Sequence, residues 1–183
     1  MKQLLSGPLF IILILPICLY LRKIQYGVHI LLIAKVIFLL VIQKIVFSHQ
    51  ILNLLDGRNF ASLATVLPSG FPQVTPIWID YDENHDLLVN TALGRSKEKY
   101  TTINDKVGLS IFSMANPYET ASIIGNVIDK TTAGAFHHFN KLSKKYLNLD
   151  KYPISKPEEK RVILKIRPKK IVYVSIPLST YVN

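Results

Sequence analysis

The chain has 183 residues, 49% of them hydrophobic, one cysteine, and 22 basic against 12 acidic side chains for a formal charge of +10. A lone Cys18 excludes an intramolecular disulfide and a thiolate metal site, so the fold makes no demand for an oxidising compartment. Residues 1–49 hold Lys2, Arg22, Lys23, Lys35 and Lys44 and no acid, which leaves 17 basic and 12 acidic residues for 50–183; that mild excess, without a helix-turn-helix, zinc-finger or aromatic RNA-binding pattern, argues against nucleic acid as a partner.

Residues 8–21 carry no charge and, with 4–7, come near the roughly 17 residues that a helix needs to cross a bilayer. A second apolar run, 28–46, is interrupted by Lys35 and Lys44, which would cost energy in a span or snorkel at an interface. A secretory signal fits Lys2 and the apolar core, but Tyr20, Leu21, Arg22 and Lys23 stand where a small-x-small cleavage pattern is needed. The third reading is translated upstream sequence, with the true start further on. The expected organisation is an apolar basic leader over 1–49, a β domain over 50–176 and a tail over 177–183. The domain is expected in the cytoplasm, anchored to the membrane through residues 4–46 in one reading and soluble in another.

Residues 51–56, stopped by Gly57, have the pattern of the last turns of an amphipathic helix. Residues 60–67 alternate small and larger apolar side chains as a strand, and Pro68-Ser69-Gly70 forms a turn. Residues 71–81 are rich in β-branched and aromatic residues but contain Pro72 and Pro76, which cannot donate to a ladder; this strand lies at an edge or bends. Asp82 to Asp86 is a polar turn, and Asp80, Asp82, Glu83 and Asp86 read as a solvated hairpin end. Residues 87–92 make the third strand of a meander. Gly94, Arg95, Ser96 and Lys97 follow, then a short helix over 98–104 capped by Ser96. Cations at a helix start suit a phosphate ester; the alternative is that Arg95, Lys97 and Lys99 are solvated charges on a surface turn.

Residues 106–114 form a strand with Val107, Leu109, Ile111 and Met114 inward, and 119–130 a long strand with a bulge or close approach at Gly125. Residues 131–148 are the one strong helix, with a stripe of Ala135, Phe136, Phe139, Leu142, Tyr146 and Leu147 and a wet side of Lys141, Lys144 and Lys145. His137 and His138 are adjacent and so point about 100° apart, which is no zinc-helix pair. Residues 161–167 and 170–175 are closing strands separated by Pro168. Strands dominate and no βαβ alternation or glycine-rich dinucleotide fingerprint occurs. The expected fold is therefore mainly β, a small antiparallel barrel with one inserted helix.

The ordered series ATV-x-x-x-G-x-PQ-x-TP, then LVNTA-x-GR-x-K, then a strand entered through NPY closely resembles the pyridoxamine-phosphate-oxidase-like split β-barrel superfamily. The resemblance covers residues 51–174 and is greatest to the branch of deazaflavin- and flavin-dependent oxidoreductases. It implies a six- to seven-stranded antiparallel split β-barrel, and a homodimer that holds a deazaflavin, coenzyme F-420, or alternatively FMN, in a groove at the dimer interface. Arg95 and Lys97 match the basic turn that holds the phosphate, with Asn90 and Thr91 at the end of the preceding strand. Gln73, Thr75, Pro76 and Trp78 match the strand along which the ring system lies. Tyr118 matches an aromatic position that reaches the cofactor from the other subunit; no side chain stands out as an obligatory general acid, Tyr118 being the least poor candidate and solvent the alternative donor.

The implied activity is hydride transfer between the bound ring and a small organic substrate. Two departures stand out. Lys99-Tyr100-Thr101 replaces an Arg-Asn-Leu that commonly follows the basic turn, and the C-terminal stretch lacks the Trp and Arg-Leu signature with which true pyridoxamine-phosphate oxidases engage vitamin B6. The alternative within the same fold is a non-catalytic flavin, haem or tetrapyrrole binder, for which His85, His137 and His138 are the histidines on offer.

Overall fold

The computed structural model describes residues 45–153 and 159–181. The chain divides between Lys44 and Ile45, so the expectations for the leader lie outside the described residues. Among these no helix is long and apolar enough to cross a membrane.

The described unit opens with helix α1, His49–Asp56, whose first turn is capped by the Ser48 hydroxyl accepting from the Ile51 amide. Ile51, Leu54 and Leu55 form its buried face, and Phe47, just ahead of it, is 4% exposed and part of the same core. A domain boundary at residue 50 would therefore cut α1 and leave Phe47 outside. Seven strands follow: β1 Ala61–Val66, β2 Pro72–Ile77, β3 Asp80–Tyr81, β4 Leu87–Ala92, β5 Lys106–Phe112, β6 Thr120–Thr131 and β7 Arg161–Val174. A single helical turn, α2, Ser96–Lys99, lies between β4 and β5, and α3, Ala135–Leu147, between β6 and β7. All pairings are antiparallel.

The order across the sheet is β2-β1-β5-β6-β7-β4-β3. Its two edges are thus consecutive in sequence, joined by Trp78 and Ile79 alone. Three Cα steps reach at most about 11 Å, whereas seven flat strands spaced by about 4.8 Å would hold their edges roughly 29 Å apart. The sheet has to curl until its edges meet, and the result is the split barrel. Alternate residues of β1, β5 and β6, among them Leu63, Ile111, Ile123 and Val127, fill its interior with Leu164 and Ile166 of β7.

Several expectations hold in detail. β2 is an edge strand, which is where its prolines can be tolerated. A Cβ on Gly125 would lie 2.5 Å from the Arg167 carbonyl oxygen, the close approach anticipated there.

Others are corrected. The run 71–81 is two strands, because the chain bends at Trp78 and Ile79 to change edges. Pro168 does not separate two strands: β7 runs through it, because the β6–β7 register shifts between Ile124 and Gly125 and Pro168 sits opposite Gly125 at that irregularity. The expected helix 98–104 is only the turn Ser96–Lys99, with Arg95 at the cap position and no side-chain cap bond. Met114 is exposed, since β5 ends at Phe112. Lys145 is not on the wet side: its ammonium donates to the Leu55 and Ile79 carbonyls.

The acidic cluster is not a solvated hairpin end. Asp86 is 1% exposed and takes both Arg167 bonds at 3.0 Å, while Lys165 pairs with Asp82 at 2.5 Å. Asp80, also buried, forms an ion pair with Lys141 at 2.6 Å and faces His138 Nε2 at 3.4 Å.

Candidate functional site

The turn after β4 presents its cations through a small set of braces. Gly94 adopts φ 81°, a left-handed conformation that glycine takes without cost. The Glu98 carboxylate accepts the Gly94 amide at 2.8 Å and pairs with Lys130 at 2.8 Å. Lys130 also donates to the carbonyls of Glu98 and Thr101. The turn is thereby tied down to β6, and Arg95 and Lys97 project from it into a cavity of about 510 Å³.

The same cavity is lined by Pro76, Trp78, Asn90 and Thr91, so six of the nine residues singled out from the sequence meet in one place. Gln73 and Thr75, further along β2, and Tyr118, in the β5–β6 loop, do not line it. The Tyr118 amide donates to the Asn116 side chain, whose own amide group donates to the Ile176 carbonyl.

The residues that sequence reasoning missed make up the rest of the wall. Arg161 stands at the start of β7, and the pairing of Ala92 with Arg161 brings it beside the end of β4. Its side chain is 7% exposed. Nε donates to Asn90 Oδ1 at 2.8 Å, one terminal nitrogen donates to Glu159 at 2.6 Å, and the guanidinium lies 3.8 Å from the Phe139 ring centroid. Asn90 is thus an organiser: its amide nitrogen also donates to the Ala135 carbonyl at 2.7 Å and lies 3.3 Å from His138 Nδ1. The only signal for Arg161 in the sequence was a basic residue at a strand start, and the strand pairing that gives it meaning is long-range.

An aromatic wall adjoins the cations, with Phe139 lying against Arg161. Trp78 stacks on Tyr146 with centroids 5.2 Å apart and planes 6° from parallel, and it meets Tyr152 edge-on at 5.8 Å; Phe139 lies 4.8 Å from Tyr152. The Tyr146 hydroxyl donates to the Asn59 carbonyl at 2.8 Å and accepts the Ile79 amide at 3.1 Å, which fixes the stack to the β2–β3 link. Burial pushes that phenol up to about 12.

Electrostatically the cavity is positive. Burial pushes the Lys97 ammonium down, and the neighbouring charges of Arg95 and Arg161 add to this. Among the described residues no carboxylate pairs with Lys97. Thr91 is 1% exposed and its hydroxyl has no hydrogen-bond partner among the described residues, an unusual state for a buried polar group. Three cations, an unsatisfied hydroxyl and an aromatic wall can hold a flat ring bearing an anionic tail. Residues 45–153 and 159–181 present no cluster of three or more metal-ligating side chains.

A curled antiparallel sheet whose edge strand, basic turn and inserted helix surround such a cavity defines the split β-barrel class. The family described as pyridoxamine 5'-phosphate oxidase matches residues 47–175, and the chain belongs to that family. Among solved structures it is similar to one titled F420 reductase, with 31% identity over 66% of this chain and 94% of that one and a TM-score of 0.55. It also resembles the conserved hypothetical protein Rv2991 from Mycobacterium tuberculosis, with 16% identity, 72% and 87% coverage and a TM-score of 0.53. HupZ from Group A Streptococcus matches with 14% identity, 72% and 100% coverage and a TM-score of 0.51. The last two speak to the fold alone. No curated protein matches the chain.

Proposed function

We propose that the protein is an oxidoreductase that binds a phosphate-bearing deazaflavin, coenzyme F-420, or in second place FMN, in the Trp78–Arg161 cavity and transfers hydride to or from a small organic substrate. The observation that carries this is the convergence of Arg95, Lys97 and Arg161 on one cavity that Trp78, Phe139 and Tyr152 also line. The 31% identity to a structure titled F420 reductase favours the deazaflavin. When bound, the ring system supplies the hydride chemistry and the protein need not.

The chain's own part is binding, orientation and exclusion of water. Arg95 and Lys97 would grip the phosphate, Arg161 would add a third cation held rigid by Asn90, and the Thr91 hydroxyl would gain the partner it lacks. Trp78 and Tyr152 offer apolar faces to the ring. Gln73, Thr75 and Tyr118 have a role only if a second copy completes the site. Exposed Val66 and Val74 on β1 and β2, Phe71 in the link between them, and Ile124, Val172 and Val174 on β6 and β7 would supply apolar surface for such a homodimer. Oxidation of vitamin B6 is not proposed, since the C-terminal residues that would engage it are absent. Among the described residues, those lining the cavity include no histidine to serve a tetrapyrrole as an axial ligand.

The test is a titration of the full chain with the deazaflavin coenzyme and with FMN, followed by ring fluorescence, alongside the double variant Arg95→Ala/Lys97→Ala. Two lost charge-assisted bonds at about 1.5–3 kcal/mol each predict at least a hundredfold weaker binding. Unchanged affinity in the double variant would place the phosphate elsewhere.

A further inference from the structure

The cationic side of the cavity is already bridged by a carboxylate belonging to the chain itself. Glu159 receives Arg161 on one oxygen at 2.6 Å and Arg95 on the other at 3.3 Å. Its position between two guanidinium groups, at the rim of the cavity it lines, is where a phosphate held by those same groups would put its oxygens.

The bridge is uneven. Arg161 is pinned on its other side by Asn90 and Phe139, whereas the Arg95 side chain is 56% exposed and the Glu159 side chain 25%. One partner is a fixed anchor, and the carboxylate and the second guanidinium can both swing towards solvent. The hydrogen bond from Arg161 holds Glu159 below the usual carboxylate range, so it is an anion across the neutral range.

We infer that Glu159 is an internal counter-anion that occupies the phosphate subsite, so that an incoming phosphate exchanges with it rather than entering an empty site. This rests on the reading of the cavity as a site for a phosphate-bearing cofactor, and it deepens that reading by naming what regulates entry. In the free protein Glu159 neutralises Arg161, which would otherwise be a buried and unpaired cation, a costly state. In the loaded protein the phosphate takes over that duty and Glu159 turns outward. Affinity for the anion is then the difference between two similar charge-assisted contacts, and it is weakened by the contact given up. The selectivity follows too: a ligand without an anionic tail cannot displace Glu159, so the ring alone is excluded from productive seating.

The experiment uses the full chain and two probes, inorganic phosphate read by its shift of the thermal unfolding midpoint against chloride at equal ionic strength, and FMN read by fluorescence. Glu159→Gln keeps an acceptor for Arg161 and removes the competing charge; it should bind both probes at least about tenfold more tightly, the equivalent of one weakened charge-assisted contact. Glu159→Asp, a methylene shorter and unable to span both arginines, should fall between the two and serves equally if the Gln variant does not fold. Riboflavin, which lacks the phosphate, should gain much less from either change.

Equal or weaker phosphate binding in the variants would overturn the inference, whatever the cofactor result. If inorganic phosphate behaves as described while neither FMN nor the deazaflavin binds, the counter-anion stands and the cofactor reading falls.

Discussion

Replacing Arg161 by Lys separates charge from geometry at the centre of the cavity. Both side chains carry one positive charge, so an account resting on net charge alone expects no effect. Arg161, however, uses three directions at once: Nε to Asn90, a terminal nitrogen to Glu159, and its flat face to Phe139. An ammonium on a flexible stem can keep the Glu159 contact or approach Asn90, but not both while lying flat on the ring. The loss is about one charge-assisted hydrogen bond, 1.5–3 kcal/mol, offset in part by whatever cation–π attraction the ammonium regains. We therefore expect Arg161→Lys to lower urea-unfolding stability by about 2 kcal/mol and to weaken FMN or deazaflavin binding by about tenfold. Equilibrium urea melts and fluorescence titrations at matched salt give the two values. A variant indistinguishable from the native protein in both assays would refute the argument that the fork organises the site.

Asp80 gives a pH prediction. Burial pushes its carboxyl up, but hydrogen bonds from His138 and Lys141 outweigh this and bring it down from 3.8 to about 2. A group lowered on folding stabilises above its unfolded value and loses that contribution as pH falls through the folded one. Between about pH 4 and pH 2 the protein should lose about 2 kcal/mol on this account, and in urea melts Asp80→Asn should flatten that stretch of the profile. Thr91→Val removes a buried hydroxyl with no partner, so the ligand-free protein should be as stable or up to about 1 kcal/mol more stable, while cofactor affinity, measured by titration, falls. Gly125→Ala places a methyl group against the Arg167 carbonyl across the β6–β7 irregularity and should cost at least about 2 kcal/mol in a thermal or urea melt.

The local parts of this architecture were readable in the residues. Alternation located β1, β4, β5 and β6 to within a residue or two, and Pro72 and Pro76 marked an edge strand because a missing amide has the same consequence in any sheet. Gly125 announced a close approach for a similarly local reason. What could not be read was anything decided by distant pairing. The acids around Asp86 resemble a wet turn until β7 brings Lys165 and Arg167 alongside, and Pro168 resembles a stop until Gly125 lies opposite it. The candidate site divides in the same way. Arg95, Lys97, Asn90 and Thr91 are neighbours in sequence and were found together, whereas Arg161 and Glu159 reach the cavity only through the β4–β7 ladder. Trp78 carries a further lesson, since it lines the cavity and also stacks on Tyr146, so packing and binding are not exclusive roles.

That ladder has a consequence in time as well as in space. Leu87 pairs with Ile166 and Ala92 with Arg161, the greatest sequence separation of any pairing in the sheet. Loop-closure entropy makes such contacts slow to form, so the hairpins can be in place while β7 has yet to find β4. Until it does, Asn90 has no arginine, Arg95 has no carboxylate and the cavity has only part of its wall. The anion site is therefore a reporter of the final step of assembly: phosphate that binds only the zipped state would hold β4 and β7 together and slow amide exchange along that seam ahead of the rest of the sheet.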